Sequence, residues 1–231
     1  MRSLSALCLL LGSAAPAAAV ECRIALALAM DVSRSVDGRD YRVQAEGLAD
    51  ALTDPAVRRA FLSGDAPVAF AVYEWSGVAD QAMVEDWVIV QDEAGLDALA
   101  TRMRALTRPA ERHLTALGAA LDYGLDLMRR APDCRRLVLD VSGDGQNNEG
   151  PPPARSYARA DWSGITVNGL AIGEHESLLP EYFSRELLRG PGAFVEVAPR
   201  QSDFPAAIRR KLIRELTDQV AEDARPGGLP G

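Results

Sequence analysis

The sequence lacks a cluster of basic residues, and almost all of its positive charge comes from arginine. Its 231 residues contain one lysine, Lys211, and the formal net charge is −8 at pH 7. Nucleic acids and anionic lipid surfaces are bound through concentrated positive charge, so an acidic chain of this kind argues against both as partners. The length fits one domain, or at most two.

Apolar runs long enough to span a membrane are also missing after the first residues. Residues 1–19 have a basic start, a short apolar core and small residues up to Ala19, which predicts a signal peptide cleaved after that residue. The alternative, a membrane anchor, needs a longer segment. We therefore expect a periplasmic or secreted protein without membrane insertion, with a domain over 20–224 and a flexible tail over 225–231.

Cysteine is scarce as well. After removal of residues 1–19, Cys22 and Cys134 are the two cysteines left in the chain. Two cysteines in an oxidising compartment favour a single disulfide. The alternative, two buried free thiols, stays open on the sequence alone.

The local motifs of common hydrolases are missing too. The sequence has no G-x-S-x-G nucleophile elbow and no second carboxylate cluster of the kind that holds two metal ions. His113 and His175 have no serine or cysteine at a recognisable spacing, and their own spacing matches no zinc motif. Because catalytic groups can converge from distant segments, a metal-dependent hydrolase stays an alternative function.

Apolar runs alternate with amphipathic stretches along the chain, which predicts an α/β protein. The sheet is expected to be doubly wound, mostly parallel and six-stranded, with helices on both faces. A short connection that begins with Ser76 and Gly77 joins the second and third predicted strands. So short a link predicts that these two strands are antiparallel and that the third lies at the edge of the sheet. The predicted strands cover 24–31, 68–75, 81–90, 136–141, 165–172 and 193–197, and the longer helices 38–53, 92–106, 115–130, 177–188 and 203–220.

Oxygen-bearing side chains follow the first predicted strand at alternate positions. Asp31 ends that strand, and Ser33 and Ser35 lie in the turn that leaves it. Alternate residues of an extended segment point the same way, so one loop offers three oxygens. Such hard donors, with few carboxylates among them, are the ligands that Mg²⁺ prefers.

This D-x-S-x-S pattern resembles the metal-ion-dependent adhesion site of von Willebrand factor type A domains. The resemblance implies the strand order 3-2-1-4-5-6 and a metal site completed by Thr115, which is expected to open a helix, and by Asp144, after the fourth strand. It also implies Mg²⁺, or Mn²⁺ or Ca²⁺ in its place, with one open coordination position. In such domains an acidic side chain of a protein partner fills that position.

Two positions depart from the family pattern. Arg112, His113 and Leu114 stand before Thr115, where glycines are common, and Gly143 replaces a hydroxyl residue. A closer resemblance, to a bacterial group of exported A-type proteins of unknown function, covers nearly the whole mature chain. It rests on Glu74-Trp75, Asp140 to Gly145 with Asn147-Asn148, Asn168 to Ala171, Gly190 to Phe194, and Phe204 with Ala207 to Leu212.

The implied strand order has two further consequences. If the first and fourth strands are parallel neighbours, their starts meet at the pole opposite the metal, which brings Cys22 beside Cys134 and predicts their disulfide. Trp75, His113 and His175 end a strand or lie in loops near the carboxyl ends of the strands. We interpret these three as a partner-binding rim, with the alternative that Trp75 closes the edge of the core.

Each part of the motif also has a purely structural interpretation. Thr115 can act as a helix N-cap, Ser33 and Ser35 can cap the first helix or close the turn, and Asp144 can belong to a plain turn. Taken together, the pattern favours an exported, non-enzymatic, metal-dependent protein-binding module. A metal-dependent hydrolase and a structural domain of the same fold without metal are the alternatives.

Overall fold

The computed structural model describes residues 22–109 and 113–223. The signal peptide predicted over 1–19 and the tail predicted over 225–231 lie outside the described residues. Among the residues described, no helix has the length and apolar character needed to cross a membrane.

Six strands form one sheet. They are β1 (Ile24–Asp31), β2 (Val68–Trp75), β3 (Gln81–Val90), β4 (Leu137–Gly143), β5 (Ile165–Ile172) and β6 (Val195–Ala198). Their order is β3-β2-β1-β4-β5-β6, and every neighbouring pair is parallel except β2 and β3. The predicted fold class, the strand order and the antiparallel edge strand are therefore confirmed.

Burial along the strands follows their place in the sheet. All eight residues of β1 are buried, as expected for a central strand covered on both faces. Only Val90 is buried among the ten residues of the edge strand β3. The β1 ladder aligns Asp31 with Trp75 of β2 and Met30 with Ser142 of β4, so the carboxyl ends of three strands meet at one edge.

Helices cover both faces of the sheet. Large side chains of β1, such as Leu26 and Leu28, pack into the cluster formed with α1, α2, α3 and α7, whereas Ala27 and Ala29 face α4 and α6. The helices are α1 (Gly38–Thr53), α2 (Pro55–Leu62), α3 (Glu93–Arg104), α4 (Leu117–Met128), α5 (Pro153–Arg159), α6 (Leu179–Glu186) and α7 (Phe204–Asp223), with a 3₁₀ turn at Gln201–Asp203.

Two capping alternatives for the motif residues are wrong. The N-cap of α1 is Asp37, whose side chain accepts hydrogen bonds from Arg39 N and Asp40 N, so neither serine caps this helix. Helix α4 begins at Leu117, two residues later than predicted, and its N-cap position is Ala116. Thr115 therefore lies outside the helix.

The predicted disulfide is confirmed. Cys22 and Cys134 are bonded, with their Cα atoms 4.5 Å apart. They form an isolated parallel bridge just before β1 and β4, at the pole opposite the carboxyl ends of these strands. The alternative of two free thiols is thereby excluded for this structure.

Candidate functional site

The ends of β1 and β4 bring two aspartates together. Asp31 is the last residue of β1, and Asp144 directly follows β4, which ends at Gly143. A Cβ atom added at Gly143 would lie 3.1 Å from Asp31 Oδ2 and 3.4 Å from Trp75 Cζ2. The glycine that replaces the family's hydroxyl residue thus leaves the space that the Asp31 carboxylate needs.

Both serines of the motif connect the two aspartates. Ser33 N donates to Asp31 Oδ1 at 2.7 Å, and Ser33 Oγ lies 3.2 Å from Ser35 Oγ. Ser35 Oγ in turn donates to Asp144 Oδ1 at 2.6 Å. The turn after β1 is therefore joined to the end of β4 through hydroxyl groups, and four of the five predicted ligands are in one hydrogen-bonded chain.

The fifth predicted ligand, Thr115, reaches the same place from the start of α4. A Cβ atom added at Gly145 would lie 3.8 Å from Thr115 Oγ1. Asn148 binds both polar groups of the Thr115 backbone. Thr115 N donates to Asn148 Oδ1, and Asn148 N donates to Thr115 O, each at 2.9 Å. These bonds hold Thr115 out of the helix. Beside it, Asn147 Oδ1 accepts from Gly118 N at 3.2 Å, in the first turn of α4.

The supporting role of Asn147 and Asn148 was not predicted, although both were part of the closer resemblance. Amide side chains that follow an Asp-Gly turn are common in loops, and nothing in their spacing points to a helix 30 residues earlier. The structure shows that they fix the start of α4 against the end of β4. Their function is to position Thr115 beside Asp144.

Both aspartates have pKa values above the usual value for this side chain. Burial, and then the neighbouring carboxylate of Asp144, raise the pKa of Asp31 to about 7. Burial also raises the pKa of Asp144, against the opposing effects of the Ser35 hydrogen bond and of His175. Asp31 Oδ2 is buried and has no hydrogen-bond partner among the residues described. A buried polar atom of this kind needs a compensating group.

The donor set fits a hard divalent cation better than a soft one. Two carboxylates and three hydroxyls converge, and Mg²⁺ takes this kind of oxygen ligand with only one or two carboxylates. Within the described ranges, no group of three or more His, Cys, Asp or Glu side chains is arranged to hold a metal. The site is therefore poor in anionic ligands and rich in neutral ones.

The three predicted rim residues differ in what they expose. Trp75 is fully buried and packs in the core beside α4, so the alternative that it closes the core is the one seen. His113 is partly exposed, with Nδ1 3.1 Å from Asp80 Oδ2. His175 is exposed and close enough that its charge opposes the rise in pKa that burial causes at Asp144 and Asp40. His113 therefore contacts the connection between β2 and β3, His175 lies near Asp144, and Trp75 belongs to the core.

A cavity of about 490 Å³ lies between the turn after β1 and the connection from β2 to β3. Glu74, near the end of β2, is its most buried carboxylate, and it accepts a hydrogen bond from Tyr41 OH. Burial raises the pKa of Glu74 above its usual value. The cavity is lined by Val32, Glu74, Ser76, Ala79, Asp80, Gln81, Ala82, Pro109 and His113.

Residues 21–220 match the model of a family described as "Protein of unknown function (DUF1194)". The chain belongs to this family. No protein with a curated description matches the sequence. Membership in DUF1194 agrees with the closer resemblance predicted from the sequence, and it assigns no activity.

Solved structures show which fold this DUF1194 chain has. Proximal thread matrix protein 1 from the mussel byssus, solved with zinc in its MIDAS motif, has a TM-score of 0.61 at 15% identity, over 85% of this chain and 48% of that one. A von Willebrand factor type A structure from Catenulispora acidiphila has a TM-score of 0.56 at 17% identity, over 85% and 43%. This chain thus spans about half the length of the first structures it resembles.

The third likeness covers a complete domain. The von Willebrand factor domain of the type V pili tip protein Mfa5 from Porphyromonas gingivalis has a TM-score of 0.56 at 10% identity, over 92% of this chain and 99% of that one. Identities this low establish the fold and nothing more. The protein has the von Willebrand factor type A fold, as the motif residues predicted.

Proposed function

We propose that this protein is an exported, non-enzymatic module that binds a divalent cation and, through it, a protein partner. The proposed ligands are Asp31, Ser33, Ser35, Thr115 and Asp144, hereafter the rim site. The observation that carries the proposal is the buried Asp31–Asp144 pair, joined through the backbone N–H of Ser33 and the hydroxyls of Ser33 and Ser35, with Asp31 Oδ2 left without a partner among the described residues.

The charge of the rim site favours an acidic partner. Two carboxylates balance the charge of a divalent cation, and the three hydroxyls add none. Bound there, Mg²⁺ would supply an electrophilic centre for an incoming carboxylate. The chain's own residues hold the donors in place: Gly143 gives room to Asp31, and Asn148 fixes the backbone of Thr115.

The structural likenesses support this proposal. One similar structure has zinc in its MIDAS motif, and others are described as a pilus adhesin from Lactobacillus rhamnosus and a pili tip protein. These descriptions favour export and protein binding over an enzymatic role. Magnesium is our choice among divalent ions because the donors are all oxygens.

Calorimetric titration with Mg²⁺ and Mn²⁺ tests the site. We expect wild type to bind one ion and Asp31→Asn to bind none, because the variant removes one of two anionic ligands without changing the shape of the side chain. Asp161→Asn is the matched control, since Asp161 is an exposed aspartate whose side chain accepts from Ser163 N after α5. If wild type takes up neither ion at millimolar concentration, the protein is a structural domain of this fold without metal.

A further inference from the structure

Arg108 binds the backbone of the turn that carries Ser33 and Ser35. It lies just after α3, and its Nε donates to Val36 O at 2.8 Å. Its Nη2 donates to Val32 O at 3.2 Å and to Ser33 O at 3.3 Å. Because the donors of a guanidinium group lie in one rigid plane, the three carbonyl groups are held at fixed positions relative to one another.

The segment after α3 contacts the same turn at two further points. Leu106 packs against the apolar cluster to which Val32 and Val36 belong. His113 O accepts a hydrogen bond from Arg34 N at 2.9 Å. The backbone of the turn is therefore held by the residues after α3, whereas its hydroxyl groups reach the end of β4.

The position of the second serine depends on this backbone support. Ser35 is exposed, so packing in the core does not fix its side chain. A hydrogen bond from Val36 N to Ser33 O, at 3.1 Å, closes the turn around it. The carbonyl groups of Ser33 and Val36 both accept from Arg108, so the guanidinium holds the residues on either side of Ser35.

The charge of Arg108 shows how it can act on a cation site. A guanidinium group beside the turn repels a bound cation, so it cannot favour metal binding by electrostatic attraction. Its charge also acts on Glu74, where it opposes the rise in pKa that burial causes. Any favourable effect of Arg108 on metal binding must therefore come through the shape of the turn.

We propose that Arg108 is a positioning residue for the rim site and makes that site selective for Mg²⁺ over Ca²⁺. This inference rests on the proposed function, because it presupposes an ion at the rim site. Mg²⁺ requires a near-ideal octahedron of oxygens at about 2.0–2.1 Å, whereas Ca²⁺ accepts irregular geometry at about 2.3–2.6 Å. A turn fixed by Arg108 keeps the Ser33 and Ser35 hydroxyl groups 3.2 Å apart, and a looser turn admits the larger ion.

Two substitutions of Arg108 separate its charge from its geometry. Arg108→Gln removes both the charge and the planar group. Arg108→Lys retains the charge, but a compact ammonium cannot replace the rigid set of guanidinium donors. The matched control is Arg104→Gln, which removes the same charge at the end of α3, where Arg104 forms an exposed ion pair with Asp50 at 2.8 Å.

Calorimetric titration with Mg²⁺ and with Ca²⁺ measures the effect on the site. We expect both Arg108 variants to weaken Mg²⁺ binding by about 10-fold, the lower end of the effects known for residues that support metal ligands. Ca²⁺ binding should change less, so the ratio of the two dissociation constants moves towards Ca²⁺. Arg104→Gln should keep the wild-type ratio. Loss of a repelling charge alone would strengthen the binding of both ions, which is the opposite direction for Mg²⁺.

Amide hydrogen exchange tests the support of the turn without any metal. In metal-free protein, the backbone N–H groups of Ser33, Arg34 and Val36 all donate hydrogen bonds. We expect these three amides to exchange faster in Arg108→Gln than in wild type, because the turn opens more often without the guanidinium. Amides in the middle of α3 should exchange at the same rate in both proteins.

The outcomes separate the two proposals. If wild type binds Mg²⁺ and Arg108→Gln binds it equally well or more tightly, the inference is wrong and only the proposed function stands. The same holds if Arg108→Lys retains wild-type Mg²⁺ affinity, if both ions lose affinity equally, or if amide exchange in the turn is unchanged. If wild type binds neither ion, the proposed function fails and this inference fails with it.

Discussion

Strand β4 leads to two pairs of buried carboxylates, and the chain neutralises only one of them. Asp140 lies in the middle of the strand, and Glu215 and Lys211 lie on α7. Lys211 Nζ is 3.0 Å from a carboxylate oxygen of both Asp140 and Glu215, and we call these three residues the core cluster. Just after the strand, Asp144 and Asp31 face serine and threonine hydroxyls, and no described Lys or Arg forms an ion pair with them. The two pairs therefore differ in whether a described basic side chain supplies the compensating positive charge.

Lys211 is the protein's single lysine, and it is fully buried. Burial lowers its pKa, but the two carboxylates outweigh that effect and raise it above the usual value. Burial and the Glu215 carboxylate, opposed by Lys211, raise the pKa of Asp140 to about 8. The core cluster thus has a cation built into the sequence, whereas the proposed function gives the rim site an exchangeable ion in that role.

The largest expected effect comes from removing the built-in cation. Lys211→Met leaves Asp140 and Glu215 buried without a counter-charge, which should lower the free energy of unfolding by about 3–5 kcal/mol. Urea denaturation measures it. The control is Arg210→Met on the same helix, which removes an exposed ion pair with Glu196 and should cost less than about 1 kcal/mol. An unchanged urea midpoint for Lys211→Met would mean that the core cluster needs no cation.

In metal-free protein, the buried Asp31 carboxyl should make the folded state less stable as the pH rises. The folded-state pKa of Asp31, about 7, exceeds its ordinary value of 3.8, so the folded state retains a proton that the unfolded state has lost between these pH values. Stability due to this group therefore falls as pH rises from about 4 to about 7, by up to about 1.4 kcal/mol per pH unit. Asp31→Asn, which does not titrate, should gain stability relative to wild type across that range.

Adding Mg²⁺ sharpens this comparison. Thermal or urea unfolding of wild type at pH 5 and pH 8, with and without the ion, should show that Mg²⁺ stabilises the protein at pH 8 and much less at pH 5, where protons compete for the carboxylates. Asp31→Asn should show no stabilisation by Mg²⁺ at either pH. A stability difference between wild type and this variant that is constant with pH would contradict the raised pKa.

The smallest effect is expected from removing the Ser35 hydroxyl, which links the turn after β1 to Asp144. Ser35→Ala removes the hydrogen bond to Asp144 Oδ1, and because Ser35 is exposed the free energy of unfolding should fall by less than about 1 kcal/mol. Mg²⁺ affinity, measured by calorimetry, should weaken because one neutral ligand is gone. Ser184→Ala, an exposed serine in α6, is the control and should bind Mg²⁺ as wild type does.

The sequence indicated that Asp31 and Asp144 come together, but not that Lys211 lies against Asp140, for a physical reason. Asp31 and Asp144 end strands, and the ends of parallel strands meet wherever the strand order places them side by side. Asp140 was recognisable as a buried aspartate in need of a partner, but Lys211 lies on α7, far along the chain. Which face of that helix meets the sheet depends on tertiary packing, so the pairing had no local signal.

Loop residues were the least predictable part of the site. Thr115 was expected to open α4, but it lies outside that helix because of hydrogen bonds with Asn148, which belongs to another loop. The strand-end residues follow from the period of the apolar runs, whereas these residues depend on how loops fold back over the sheet.

The disulfide before β1 has a mechanical consequence. A pull between a partner held at the rim and the Cys22 end of the strand would load β1 along its axis. This strand has eight residues in register with β2 and six with β4, so its hydrogen bonds would be sheared together instead of opening one by one. The bond between Cys22 and Cys134 also passes tension directly into β4. The central strands would then carry tension between the disulfide at one end and the proposed partner at the other.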